Sequence, residues 1–308
     1  MALFLNTNVS ALLSQRAVNS ATKSLDTSYE RLASGLRINS AKDDPAGVQT
    51  SDRLTVQINS LNQTNRNAQN AISFAQTAEG AMDEITNMLQ RIRTLSLQAA
   101  NGTYTNDDRI ALQQEVDQLN TEICRIARDT SFGGEEILNG TGSVVRFQIS
   151  PDPNSLIKID LRPGFDTDSL ANLAADIKGD TFSLCKDGVT TSYKYTDVFS
   201  FKVNGKGINI STASNAQMVL GGIDALINAV DSKRAELGAI QNRLEATIRN
   251  QSNVSENVSN SRSVIRDTDF AEEVAKMTSA QVLQQGAVSI LTQANQKPQI
   301  ALQMLQQS

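Results

Sequence analysis

The 308-residue sequence contains no histidine and no tryptophan, two cysteines and only 4% aromatic residues. Each shortage removes a class of chemistry. Without histidine there is no Ser-His-Asp triad, no Cys-His pair and no His-bearing zinc site. An H-E-x-x-H metalloprotease insertion is excluded for the same reason. Cys124 and Cys185 cannot by themselves make a four-cysteine metal site or a disulfide framework. A formal net charge of -5 argues against nucleic acid as the main partner. The longest apolar runs fall well short of the ~20 residues that cross a bilayer, so membrane insertion is not expected. The N-terminal stretch MALFLNTNVSALLSQR lacks the basic, apolar and cleavage regions of a secretory signal peptide. That leaves a cytoplasmic location or export by a route without a cleaved signal.

What is present is periodic. Asn and Gln together number 50, and the apolar content is mostly Ala, Leu, Ile and Val, spread thinly. This pattern suits long helices with narrow seams better than a thick core. From Leu54 a seven-residue stride runs through Leu61, Ala68, Ala75, Met82, Leu89 and Ser96, with Ile58, Ile72, Ile85 and Ile92 between. It predicts a helix from about Pro45 to about Ala100. Asp43, Asp44 and Pro45 suit its start and Asn101-Gly102 its end. Leu112, Val116, Leu119, Ile123 and Ile126 step by four and three, which predicts a second helix over about 106–129, antiparallel to the first. Ile223, Val230, Leu237, Leu244, Gln251, Val258 and Ile265 keep the stride again, with one polar exception, and place a third helix over about 216–266. The three should share one bundle with left-handed, near-parallel packing.

The ends carry further seams. Val18, Ala21, Leu25, Tyr29, Leu32 and Leu36 form one near the N-terminus. Phe270, Val274, Met277, Val288, Leu291, Leu302 and Leu305 form one near the C-terminus. A second C-terminal stripe runs through Leu283, Ala287, Ile290, Ala294 and Ala301. A helix apolar on two sides needs partners on two sides, so burial against other subunits is expected. Small residues at Ala11, Ala17, Ala21, Ala280, Ala287 and Ala294 allow close approach. From about Ser131 to about Ile210 the chain turns strand-like, at Val144–Ile149, Ile157–Leu161, Tyr193–Tyr195 and Phe199–Val203, with turn signals at Asn139-Gly140 and Asn204-Gly205. The fold class read from these patterns is mainly α. The N- and C-terminal halves form a long antiparallel helical bundle or coiled coil, with a small β-rich insertion of hairpins in the middle.

Long runs at both ends are more specific than these patterns. They are NTNVSAL (Asn6 to Leu12), ERLASGLRINSAKDDPAG (Glu30 to Gly47) and AISFAQTAEGAMDEITNMLQRIRTLSLQAANGT (Ala71 to Thr103), followed by DTSFGGEEILNG (Asp129 to Gly140). The C-terminal half adds RAELGAIQNRLEATIRN (Arg234 to Asn250) and ENVSNSRSVIRDTDFAEEVAKMTSAQVLQQGAVSILTQANQ (Glu256 to Gln296). In these runs the chain closely resembles bacterial flagellin, the subunit of the flagellar filament. The resemblance implies a homopolymer, a helical filament for swimming motility, with no catalytic, cofactor or metal site. Residues 1–43 and 267–308 would pair as filament-core helices. Within that core Val18, Leu25, Leu32, Leu36, Val274, Met277, Val288, Leu291, Leu302 and Leu305 would pack. Residues 44–165 and 210–266 would form the bundle domain with its hairpins, and 166–209 a short variable outer segment. Implied partners are an export chaperone at the C-terminal helix, the filament cap and hook-associated proteins. Implied location is outside the cell, on the bacterial flagellum, reached through the flagellar type III pathway.

By the same resemblance Gln90, Arg91, Leu95, Gln98 and Glu115 match the region recognised by the flagellin-sensing Toll-like receptor 5. Arg91 and Leu95 stand four apart on one helix. Acidic neighbours such as Asp43-Asp44 and Glu135-Glu136 read as a helix cap and a turn rather than as paired catalytic carboxylates. Flagellins are commonly cysteine-free, so Cys124 reads as a half-buried small hydrophobe and Cys185 as an exposed thiol of the outer segment. The alternative is a hook-associated junction protein, which shares the terminal helices. A soluble coiled-coil effector or adhesin would not need both ends to match.

Overall fold

A computed structural model describes residues 8–140, 144–186, 189–199 and 207–306, with the backbone alone at 185–186, 189–190 and 297–306. The chain divides into two compact units: Met1–Asn59 with Val254–Ser308, and Ser60–Asn253. Two long helices, α2 (Pro45–Ala100) and α6 (Ala213–Arg266), contribute to both. The terminal helices α1 (Val9–Ser34) and α7 (Phe270–Gln306) belong to the first unit. In the second lie α3 (Asn106–Asp129), α4 (Thr167–Lys178) and α5 (Tyr195–Phe199).

The second unit is built on the stride read from sequence. Ala68, Ala75, Met82, Ile85, Leu89, Ile92 and Ser96 of α2 are fully buried, as are Ile223, Val230 and Leu244 of α6. Burying each large aliphatic side chain contributes about 1.5–3 kcal/mol. Ile72 is only half-buried. Val116, Ile123 and Ala127 are the deepest residues of α3, while Leu112, Leu119 and Ile126 pack at its margins. Thr105 caps α3 in a reciprocal box with Asp108. The Thr105 backbone and side-chain bonds hold the Asp108 carboxyl below its ordinary range. At the other end of the link, Arg109 is buried. Its Nε donates to the Ala99 carbonyl at 2.8 Å and its Nη2 to the Asn101 carbonyl at 3.1 Å. These bonds satisfy carbonyls that the end of α2 leaves without helical partners.

Three antiparallel two-stranded hairpins follow. β1 (Ser131–Phe132) and β2 (Glu135–Glu136) are joined by Gly133-Gly134, at φ 63° and 92°, the turn that requires two left-handed residues. β3 (Val145–Gln148) pairs with β4 (Leu156–Ile159), Val145 opposite Ile159. Phe74 of α2 anchors both hairpins, with edge contacts to Phe132 at 5.5 Å and Phe147 at 5.6 Å. β5 (Thr181–Lys186) pairs with β6 (Val189–Lys194).

The middle departs from the strand-like expectation. α4 falls inside it, with Leu170, Ala171, Leu173 and Ala174 buried on one helical face and Asp166 capping it through Ser169. These four stand at i, i+1, i+3 and i+4 around Asn172, a helical spacing that the strand-like reading of the whole segment passed over. Tyr195 and Phe199, read as strand residues, lie four apart on α5, and both are buried. Phe182, Tyr195 and Phe199 seat this module on α6 at Gly222. A Cβ there would lie 2.4 Å from the Phe199 ring. The rest of the Phe199–Val203 reading, and Asn204-Gly205, lie outside the described residues. The Cys185 side chain does also, although its backbone is in β5. Cys124 is half-buried, its Sγ 3.8 Å from the Thr167 hydroxyl.

Candidate functional site

Two surfaces carry the residues singled out from sequence. The first is the terminal helix pair. α1 and α7 run antiparallel, with Asn8 donating to the Ala294 carbonyl at one end (2.7 Å) and Leu36 bridged to Asp267 at the other. Their mutual seam steps through Ser14, Val18, Ala21, Leu25, Ser28 and Leu32 on α1. Opposite it lie Glu273, Met277, Ala280, Gln284, Ala287, Leu291 and Ala294 of α7. Three alanines on α7 and Ala21 on α1 are all under a tenth exposed, so the helices meet through small residues.

Polar groups punctuate this seam. Ser28 donates to Glu273 at 2.6 Å, Arg31 lies 3.6 Å from the same carboxylate, and Gln284 donates to Thr22 at 3.0 Å. The pair closes on Gly35, in the left-handed conformation at φ 71°. Thr268 donates to the Gly35 carbonyl, and Arg37 donates to the Arg266 carbonyl through its backbone and to the Ile265 carbonyl through its guanidinium.

The expected seam is thus partly reassigned. Val18, Leu25, Leu32, Met277 and Leu291 face the intramolecular partner, and Leu36 is half-buried where the two strands of chain meet. Tyr29 is half exposed, and Phe270, Val274 and Val288 point outward. Ala287 and Ala294, read as part of a second stripe, are in the first. Leu283 and Ile290 remain exposed at 64% and 58%. The reason is that α7 carries apolar stripes on two sides, so period alone does not select the one that meets α1. Ser14, Ser28 and Glu273 were missed because they are polar, although their spacing continues the stride. Leu302 and Leu305 lie on α7, but their side chains fall outside the described ones. A groove of about 1320 Å³ follows the pair, lined in part by Leu13, Ala17, Val282, Leu283 and Ile290.

The second surface is on the second unit. Arg91 of α2 meets Glu115 of α3, with its Nε and Nη2 at 2.7 and 2.6 Å from one carboxylate oxygen. Both side chains stay roughly half exposed. Gln90 and Gln98 are exposed beside them. Leu95 is not: at 1% exposure it belongs to the core, with Ile92 and Ala99. Positions four apart share a face only approximately, and here the boundary between core and solvent passes between them. Arg93 and Arg234 add cross-helix ion pairs to Asp224 and Asp83, each between α2 and α6.

Comparison with known proteins agrees with this architecture. Family models described as the bacterial flagellin N-terminal and C-terminal helical regions match residues 5–143 and 220–305. Flagellin D of Vibrio cholerae is 39% identical, and polar flagellin B/D of Vibrio parahaemolyticus 40%, each over 99% of this chain and the whole of the relative. The first alignment runs over 376 positions against 308 residues here, so that relative carries stretches absent from this chain. A solved structure assigned to a flagellar hook-associated protein of Vibrio parahaemolyticus matches 72% of this chain and 99% of its own, with TM-score 0.54. At 15% identity, that likeness is one of fold alone.

The chain belongs to the bacterial flagellin family. It is a structural subunit of the flagellar filament, which lies outside the cell, and not an enzyme. No described helix is long and apolar enough to cross a membrane.

Proposed function

We propose that this subunit polymerises by burying the outer stripes of its terminal helix pair against other copies. The carrying observation is that α1 and α7 already cover one face of each other yet leave Leu13, Val274, Val282, Leu283, Val288 and Ile290 exposed. A heterologous contact that does not close into a ring grows into a helical polymer. In this reading residues 1–43 and 267–308 form the filament core, where Val18, Leu25, Leu32, Leu36, Met277, Leu291, Leu302 and Leu305 pack with them. Residues 44–165 and 210–266 form the surrounding bundle domain, and 166–209 its short outer segment. Before assembly the same stripe of α7 is what an export chaperone would cover, and the flagellar type III pathway is the route out. The filament cap and hook-associated proteins would meet the same ends. The test is seeded polymerisation of the Leu283→Asp/Ile290→Asp variant, with circular dichroism verifying that the subunit is folded. Unimpaired filament growth would sink the proposal.

A second reading is supported by the exposed Arg91–Glu115 pair. Gln90, Arg91, Gln98 and Glu115 form a polar patch that Toll-like receptor 5 would engage, with Leu95 supporting it from beneath. Cell-based receptor activation by Arg91→Ala and Glu115→Ala subunits tests it, and undiminished activation by both would refute it.

A further inference from the structure

Position 251 interrupts an otherwise apolar stride. Along α6 the residues Ile223, Val230, Leu237 and Leu244 are buried and apolar, and the next in register, Gln251, is just as enclosed at 6% exposure. A buried amide is costly unless its hydrogen bonds are met. Here they are met by two different elements. Oε1 accepts from the Thr64 hydroxyl of α2 at 3.1 Å, a proton shared with the Leu61 carbonyl at 3.0 Å, and Thr64 is itself buried. Nε2 donates to the Ile149 carbonyl, just past the end of β3. Three residues further along α2, Asn67 donates to the Gln148 carbonyl at 3.1 Å. Beside this polar layer sits a small apolar cluster of Ala68, Ala71, Ile149, Ile157 and Leu244, distinct from the main core.

We infer that Gln251 is a positioning residue: it helps set the register of α2 against α6 and seats the β3–β4 hairpin on the pair. The physical argument has two parts. First, the apolar layers along α2 and α6 repeat every seven residues, so a slip of one heptad exchanges one set of aliphatic contacts for another. Moving Gln251 from Thr64 to the next layer would set it against Ala71, which has no side-chain group to bond. This buried polar layer therefore adds a register-specific contact to the Arg93–Asp224 and Arg234–Asp83 pairs, where the apolar layers specify none. Second, an isolated two-stranded hairpin is marginal. β3–β4 has an apolar face on Phe74 and the small cluster, but apolar contact is non-directional. The bonds to the Gln148 and Ile149 carbonyls give the hairpin a fixed place.

The prediction separates this role from a merely structural one. In Gln251→Leu, an apolar side chain of similar size keeps the seam packed while the Ile149 carbonyl loses its donor, so Tm should fall only slightly. At the same time hydrogen exchange of the hairpin amides over 145–149 and 155–159 should accelerate about tenfold or more, while the α2 core amides around Ile85 to Ile92 stay protected. A side chain that only fills space would move both readouts together. The double variant Thr64→Val/Gln251→Leu removes the whole polar layer and should reproduce the same split. It supplies the readout if the single variant folds poorly. Thr64→Ser keeps both bonds and should leave exchange as it is. Unchanged hairpin exchange in the leucine variants, or a large fall in Tm with uniform loss of protection, overturns the inference.

Discussion

Ser28 of α1 donates a 2.6 Å hydrogen bond to Glu273 of α7, across 245 residues of sequence, with both side chains about 4% exposed. Arg31 stands 3.6 Å from the other carboxylate oxygen. A buried carboxylate with a hydroxyl donor and a guanidinium beside it is satisfied; lacking either, it is not. Ser28→Ala should therefore weaken the α1/α7 pairing by about 1.5–3 kcal/mol, the range for a hydrogen bond to a charged group. Limited proteolysis should show α1 and α7 cleaved faster, with the unit of residues 60–253 melting as before. Equal cleavage rates would show that the bond contributes little.

Arg91 and Leu95 should separate cleanly by mutation. Arg91→Ala removes a half-exposed ion pair, worth under about 1 kcal/mol, so the subunit should keep its stability and lose receptor activation. Leu95→Ala empties a core position and should cost about 2–5 kcal/mol. Chemical denaturation of the two variants alongside the receptor assay distinguishes recognition from folding. Loss of activation in Leu95→Ala alone would assign the effect to the core.

Two glycines in helix interiors should respond in opposite directions. Gly80 of α2 is exposed, and a Cβ there meets nothing within 4 Å. Gly80→Ala should stabilise the monomer by about 0.5–1 kcal/mol. A Cβ at Gly222 of α6 would lie 2.4 Å from the Phe199 ring, which is fully buried. Gly222→Ala should destabilise by about 1–3 kcal/mol in spite of the better helix propensity. Thermal melts of the two variants give the signs directly.

Asp160 should stay ionised deep into acid. Its carboxyl accepts from the Arg162 guanidinium, with bonds of 2.9 and 2.5 Å, and this lowers its pKa from 3.8 to about 2. A carboxylate depressed in the folded state contributes stability above its unfolded pKa and loses it as pH falls through the folded value. The contribution of Asp160 is thus complete above about pH 5, falls progressively as pH drops below about 4, and is gone only below the folded midpoint near 2. Carbon-detected NMR titration should find the midpoint near 2 in the native chain and closer to 3.8 in Arg162→Gln. A midpoint near 3.8 in both would show that the pair does not form in solution.

The long helices were legible because several local signals agreed. For α2 the heptad stride, the Asp43-Asp44-Pro45 start and the Asn101-Gly102 end mark the same span that the structure shows. For α3 the three-four spacing does the same, and the structure adds the Thr105/Asp108 box at its start. The hairpin over 145–159 was legible from alternation at Val144–Ile149 and Ile157–Leu161, whereas the Gly133-Gly134 turn was not singled out. Neither α4 nor α5 was legible. α4 carries helical spacing, but over only 12 residues inside a segment read as strand-like, and α5 is five residues long, too short for period to choose between strand and helix. The cap that Arg109 makes on α2 was also invisible, since nothing local says that a guanidinium will fold back ten residues onto the Ala99 carbonyl.

By itself the sequence determined the family, the mainly helical architecture and the existence of apolar stripes on the terminal helices. Those properties follow from residue order along one chain: periodicity, caps and turn residues. Tertiary structure decided which stripe of α7 meets α1, that Leu95 lies beneath the Arg91–Glu115 surface, and that Gln251 is bonded rather than merely tolerated. Each of these depends on which distant segment arrives opposite a given face. Burial is a property of the pair of surfaces that meet, and one surface read alone shows only that it could be buried.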